Sequence, residues 1–578
     1  MAAPLPADLN KVDPADAWKP WTPTDEEPWD RKRAAHLYRR AVFGATPAEI
    51  DAALKNGFPK TLERLLAGEP DAAERLELLT ETGKYYTEPG NLRVWWLYAM
   101  IESGHPLREK LTLFWHNHFA TSYAKVRSTR LMYEQNVTLR EHALGRFRPF
   151  LLDMSKDTAM LVWLDSNRNV KGAPNENYAR EVMELFSLGV GNYTEKDIQE
   201  AARAFTGWHH DSEGLTFENQ PVLHDDGEKT IFGKTGRWTG EDVVRLCCDH
   251  DACAKFLVGK LYAYLVSETR PPEALLEPLV VRFRKSDYDI AELVGAMLGS
   301  RLFFSPHAYR KCVKWPVEYT LGTVRAACPG RVPLSDLTDP LAKMGQTLFA
   351  PPNVKGWRTG TDWLNSATLL ARNNFAETVA LGSWSSAGSR NTAARGGVVK
   401  LAAPTDAIPQ PTPVGPTPPP APEHDPVALV YATNPKTVRA IVARMGELVH
   451  GEPAPAKVAA KLEKFLAERP APPESPPPGS GPLPALPGTP GSGKLSAIND
   501  GTSNTIVLSE PVPTFPGQFF PPKPVAPAPR VIAARPPEVA PMPHEPKPYQ
   551  PDLNSPEFKA RVREALHAMM CLPEYQLN

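Results

Sequence analysis

Three short segments gather the side chains in this chain that could do acid–base or metal chemistry. The first is FWHNHF, Phe114–Phe119, with His116 and His118. On a helix that continues the apolar seam Leu107, Leu111, Phe114, His118 points into the core and His116 lies about 200° around the axis. Two histidines at i, i+2 clamp one metal only where the helix stops near Trp115; otherwise they are core and capping residues. The triplet also spells HNH, but a nuclease of that type spreads those residues over a ββα unit. The second segment is PNENYAREVMELFSLGVG, Pro174–Gly191. Its helical wheel buries Tyr178, Val182, Leu185, Phe186 and Gly189 and puts Glu176, Arg180 and Ser187 opposite. Glu181 and Glu184 fall at the edge of the buried face, where two carboxylates one turn apart require a cation. An arginine supplies it structurally, with Arg203 on the next predicted helix available; a divalent metal supplies it chemically. The third segment joins WHH, Trp208–His210, to LHDDG, Leu223–Gly227. There His224 and Asp225 offer the imidazole and carboxylate that suit zinc, manganese or iron, and the alternative is a polar loop with a tight Asp-Gly turn.

Brought together, His116, His118, His224 and Asp225 would hold the metal, with Glu181 or Glu184 as ligand or base for metal-assisted hydrolysis. A fourth segment, PPNVKGWRTGTDWLNS at Pro351–Ser366, has the make-up of a fixed loop over a cleft. Trp357 and Trp363, with Asn353, could stack on and orient a planar or sugar-like ligand; paired tryptophans also pin a loop to a core. The six cysteines contain no CxxC pair, and Cys247, Cys248, His250 and Cys253 lack zinc-finger spacing. They read as buried thiols. No phosphate-binding glycine loop and no nucleophile elbow is present.

Helices must position these groups. Arg33–Val42, Ala48–Leu54, Leu92–Ile101 and Leu107–Phe119 carry apolar residues at i, i+3, i+4 spacing. Thr194 with Asp197 and Thr239 with Asp242 have capping-box spacing. Leu215–Phe217 and Thr230–Phe232, flanking the HDDG turn, predict one small β-hairpin. The fold class is mainly α: a multi-helix globular domain with that hairpin and long proline-rich disordered insertions. Of 64 prolines, 37 lie in residues 401–550, whereas all thirteen tryptophans lie at or before Trp384, so the packed core belongs to the first part. The predicted organisation is an N-terminal extension (1–30), a main helical domain (31–400), a proline-rich linker (401–428), a helical segment completing the domain (429–469), a disordered insertion (470–550), and a C-terminal helix docking on the core (551–578).

A net charge of −1 argues against a nucleic-acid-coating protein. No run approaches the roughly 18–20 apolar residues of a membrane span. The first residues lack a basic, then apolar, export signal, so the expected location is cytoplasmic.

The succession AAHLYRRAVFGATPAEI from Ala34, LREKLTLFWHNHFATS from Leu107, PNENYAREVMELFSLGVGNYTEKDIQEAARAFTGW from Pro174, HDDGEKTIFG from His224, PPNVKGW from Pro351 and LPEYQ from Leu572 resembles the bacterial family called domain of unknown function 1800. The resemblance spans about 31–470 and 555–577, which makes 472–548 an insertion between the last helices. It implies no established activity, and it implies export, since many members look secreted. A short segment, Asn499–Glu510, is similar to part of pilin-like proteins. The leading expectation is an assembly, scaffold or binding protein with a buried polar cluster, reaching a protein partner through the proline-rich insertion. The alternatives are a metal-dependent hydrolase, and a carbohydrate or surface-polymer binder using the tryptophan loop.

Overall fold

The computed structural model describes residues 4–211, 213–328, 332–384, 425–468 and 550–578. All of these except Gln550 belong to one compact unit, formed by Met1–Glu468 with Pro551–Asn578. The chain is mainly α, as its periodicity predicts. Helix α1 spans Arg31–Ala41 and starts where the Asp30 carboxylate accepts from Arg33 N at 2.8 Å. After three further helices, between Pro47 and Gly83, come α2, Pro89–Glu102, and α3, Pro106–His118, each with proline in the first turn. They lead to α4, Thr129–His142, α5, Phe147–Lys156, and α6, Asn177–Glu181, which runs into a π-helical turn at Val182–Ser187. Helix α7, Glu195–Ala204, and helix α8, Gly240–Asp249, both begin at the capping boxes legible in the sequence, Thr194 with Asp197 and Thr239 with Asp242. Helix α9 covers Asp251–Leu265 and α10 covers Pro316–Ala327. The later part supplies α11, Ser366–Leu381, α12, Val438–His450, α13, Ala456–Ala467, and α14, Pro556–Met570.

The strand expectation needs correcting. Among the described residues there are two hairpins, not one, and the two predicted segments do not pair. Phe217–Asn219 (β2) turns back on Trp208–His210 (β1), with His210 opposite Phe217. Lys229–Ile231 (β3) pairs with Lys234–Gly236 (β4) across Phe232-Gly233. Both residues of that turn have positive φ, so it closes in two residues and never reaches Leu215. The HDDG loop therefore connects the hairpins rather than tipping one.

Helix α3 runs through the centre of the unit. Ten of its residues, Glu109, Lys110, Thr112 and His116 among them, are buried, so nearly every face is covered. Its charges are matched locally. Glu109 takes two hydrogen bonds from Arg140 of α4, at 2.6 and 2.9 Å. Lys110 pairs with Glu318 of α10 and donates to Val42 O at 3.0 Å. Buried pairs of this kind add little net stability, but they fix register, because separating either partner is costly.

Residues within 1–30 pack on the unit: Ala17 and Trp21 are buried, and the Trp18 indole donates to Leu275 O at 2.6 Å. Most of the predicted linker and nearly all of the predicted insertion lie outside the described residues. At the linker's end, Pro426–Tyr431 is a helix. Helix α14 docks through Val562, Leu566, Met569 and Met570, all at most 1% exposed. No helix among the described residues is long and apolar enough to cross a membrane.

Candidate functional site

The first segment keeps its helix to His118, and that decides where both rings go. His116 sits among Trp96, Phe349 and Trp357, with ring centroids 5.3–5.7 Å away, and neither ring nitrogen has a hydrogen-bond partner. Burial lowers its pKa to about 3, so the ring is neutral. His118 donates from Nε2 to Phe186 O at 3.0 Å, inside a cluster of phenylalanines. Burial, with Lys260 nearby, keeps it neutral as well.

The π-helical turn explains both that contact and the failure of the predicted wheel. From Val182 the bonds reach back five residues, as in Leu188 N to Met183 O at 2.9 Å. The added residue per turn rotates the downstream side chains about the helix axis. Ser187, expected to face away from the core, is fully buried and donates to Val182 O, while Leu185 is only partly buried. Phe186, in the last turn, has its carbonyl free for His118.

Glu181 and Glu184 stay at the edge, as expected, but Arg203 does not meet them. Glu184 accepts from the Tyr193 hydroxyl at 2.9 Å. Burial and the adjacent Glu184 raise the pKa of Glu181, while Lys355, from the tryptophan-bearing loop, lowers it. Arg203 instead grips Asp225 at 2.8 Å and Glu200 at 2.8 Å. Its hydrogen bonds hold the Asp225 carboxyl down at about 2. His224 donates from Nδ1 to Thr206 O at 2.9 Å. Glu181 and Glu184 thus neighbour each other, and His224 and Asp225 both bond Thr206. Among the described residues, no three His, Cys, Asp or Glu side chains form a group able to hold a metal ion. The six thiols are free, and Cys247, Cys248 and Cys253 are fully buried, as their spacing suggests.

The tryptophan loop also turns its rings inward. Trp357 and Trp363 are 4% and 1% exposed, so neither offers a stacking face to a ligand. Asn353 is exposed and caps its own turn, accepting from Lys355 N at 2.9 Å. What the loop does instead is close on α3. Asn117 accepts from Trp357 N at 2.6 Å. Gly356 makes this possible, since its φ is +86° and a Cβ there would lie 2.2 Å from Asn117 Oδ1.

Beside that seam lies a cleft of about 610 Å³. Phe114 and Asn117 of α3, Lys260 and Tyr264 of α9, Glu268, Trp315 and Glu318 at the start of α10, Arg40 of α1, and Thr359–Asp362 of the loop surround it. Two of the predicted segments therefore meet at this cleft, through Asn117 and Thr359–Asp362 rather than through their histidines and tryptophans. Lys260 makes no ion pair or hydrogen bond with any described residue; its ammonium lies 5.0 Å from the centre of the Phe256 ring. Burial lowers it to about 8. Glu268 accepts from Val313 N at 3.2 Å and has no cationic hydrogen-bond partner. Burial raises its carboxyl to about 7, against the pull of Arg40. Arg40 spends its guanidinium on the carbonyls of Tyr264 and Leu265, so its charge faces no paired acid. Glu318 is held by Lys110, by Trp315 N at 2.9 Å and by the Asn578 amide at 2.7 Å.

None of Lys260, Glu268 and Arg40 stands out in the sequence. The available signal was the lone lysine in FLVGKLYAYLV, Phe256–Val266, a charge with no polar face to occupy.

The family model described as "Protein of unknown function (DUF1800)" covers residues 36–577. No curated protein and no solved structure matches.

Proposed function

Because that match spans nearly the whole chain, the protein belongs to the DUF1800 family, and we propose that it is a ligand-binding protein whose working site is the Lys260–Glu268 cleft. The occupant is a small molecule with an acidic group and a flat or apolar body. The observation that carries this is the Lys260 ammonium, which lines a ligand-sized cleft and forms no ion pair with any of its acids, Glu268, Glu318 and Asp362. Arg40 adds a second positive charge; Glu268 near neutrality and exposed Asp362 oppose these cations in part, while Glu318 is taken by Lys110. Phe114, Tyr264 and Trp315 supply apolar and aromatic wall.

One observation favours a second reading, catalysis by proton transfer. Glu268 near 7 and Lys260 near 8 each hold a proton that is exchangeable at neutral pH, which is the condition for general acid–base work. Metal-assisted hydrolysis at His116, His118, His224 and Asp225 lacks a convergent ligand set among the described residues. Sugar stacking on Trp357 and Trp363 lacks an open ring face. Recruitment of a protein partner rests on the composition of residues 470–550.

A thermal-shift screen of carboxylate- and phosphate-bearing small molecules tests the proposal. At least one compound class should stabilise the wild-type chain, and Lys260→Met should abolish that gain while melting normally by itself. A screen whose hits all survive Lys260→Met places the ligand elsewhere.

A further inference from the structure

Away from the cleft, a smaller cavity of about 50 Å³ lies between α1, α10, α12 and the C-terminal residues. Arg39, Lys314, Glu318, Glu447, Tyr575 and Asn578 line it, and partly exposed Arg31 marks its outer side. The room exists because Gly44, at φ +76°, meets Gly322 so closely that a Cβ would lie 2.9 Å from its Cα.

Its charges do not balance. Lys314 is 6% exposed and makes no hydrogen bond from Nζ; the ammonium stands 3.7 Å from the centre of the Tyr575 ring. Arg39 donates from Nη1 to His450 O at 3.0 Å and its guanidinium leans on Tyr309, 5.8 Å from the ring centre, but its buried Nε and Nη2 meet no acceptor at hydrogen-bond geometry. Every nearby acid is engaged by another cation: Glu318 by Lys110, Glu447 by Arg444 at 3.0 Å, and Glu452 by Arg310 at 2.7 Å and Lys32 at 3.1 Å. His450 is kept neutral by burial and by these cations, its pKa near 3. Two unpaired cationic groups buried around a void are costly unless an anion joins them.

We infer that this cavity is a binding site for a small tetrahedral oxyanion of the phosphate class, held by Lys314 Nζ and by Nε and Nη2 of Arg39. Its size fits: at roughly 10–15 Å³ per water-sized group, the space takes about three to five such groups, which suits an oxyanion and excludes a nucleotide. The guanidinium edge offers two parallel N–H donors, the arrangement that matches two oxygens of one anion. Burial and the neighbouring Arg39, Arg310 and Arg372 press the Lys314 ammonium well below its ordinary range, and a bound anion supplies the opposing charge that keeps its proton on.

The test is titration of the full chain with sodium phosphate, sodium sulfate and sodium acetate against sodium chloride at matched ionic strength, followed by thermal unfolding and by calorimetry. Phosphate and sulfate should raise the melting temperature saturably, and chloride should not. Lys314→Met, which removes a buried charge and so should fold, and Arg39→Gln should each weaken phosphate binding at least tenfold. The gain that Lys314→Met removes should persist in Lys260→Met, which separates this site from the cleft. Equal effects of phosphate and chloride, undiminished binding in Lys314→Met, or acetate binding as tightly as phosphate would overturn the assignment.

Discussion

Glu268 loses solvent without gaining a cation to bond, and this sets a pH dependence with a definite sign. Its folded pKa of about 7 lies above the ordinary 4.5, so the native chain holds a proton there that the unfolded chain has released. Stability therefore falls as pH rises from about 4.5 to 7 and levels off above. Glu268→Gln, neutral throughout, should be more stable than wild type above pH 7. The advantage should shrink to nothing below about pH 4.5, as read by urea unfolding across pH. His116 makes a second residue-scale case. An imidazole with both nitrogens buried and unpartnered costs about 1–3 kcal/mol, so His116→Phe should leave stability within about 1 kcal/mol of wild type or raise it. A fall of several kcal/mol in urea unfolding would instead give the ring a polar partner. His118 was legible as inward-pointing and is; His116, expected about 200° around the axis, is buried as well. Their partners were not legible, because α3 is covered on nearly every side and no solvent face separates structural from functional polar residues.

Two elements hold the cleft in shape: α3 and the Pro351–Ser366 loop clamped to its end. Gly356→Ala forces a side chain into Asn117 and into a left-handed backbone, a cost of about 2–4 kcal/mol. It should lower the melting temperature and weaken ligands of the cleft together. On the other side of α3, Glu109→Ala strands the buried Arg140 guanidinium and should cost about 3–5 kcal/mol in denaturant unfolding, leaving the cleft's chemistry untouched. Helix positions and both capping boxes came from local chemistry, since apolar spacing and Thr-x-x-Asp pairs act within one turn. The π-helical turn did not, because a wheel assumes constant pitch and one extra residue reverses which side Ser187 occupies. The hairpins were misread for a related reason: strand candidates were recognisable, but pairing depends on which turn closes in fewest residues.

Across the whole molecule, the aromatic-rich unit and the proline-rich stretches divide the chain by composition. Helix α13 ends beside α14, where Arg561 donates to the carbonyls of Phe465 and Glu468. A short linker can therefore replace residues 470–549, and the melting temperature should stay within about 2 °C of wild type if that stretch adds no core; a larger drop would mean it packs. The global fold class was readable because burying many amphipathic helices is a summed property. The cleft was not readable, since Arg40, Asn117, Lys260, Glu268 and Glu318 meet only in the folded chain. Whether Lys260 stands unpaired in an open cleft is decided by amine-reactive labelling of every lysine of the intact protein across pH, read by mass spectrometry. Lys260 should label with a midpoint near pH 8, well below the exposed lysines, while sealed Lys110 stays unlabelled. Lys260 titrating together with the exposed lysines near 10.5, or resisting the reagent at every pH, would contradict a working cleft built around its charge.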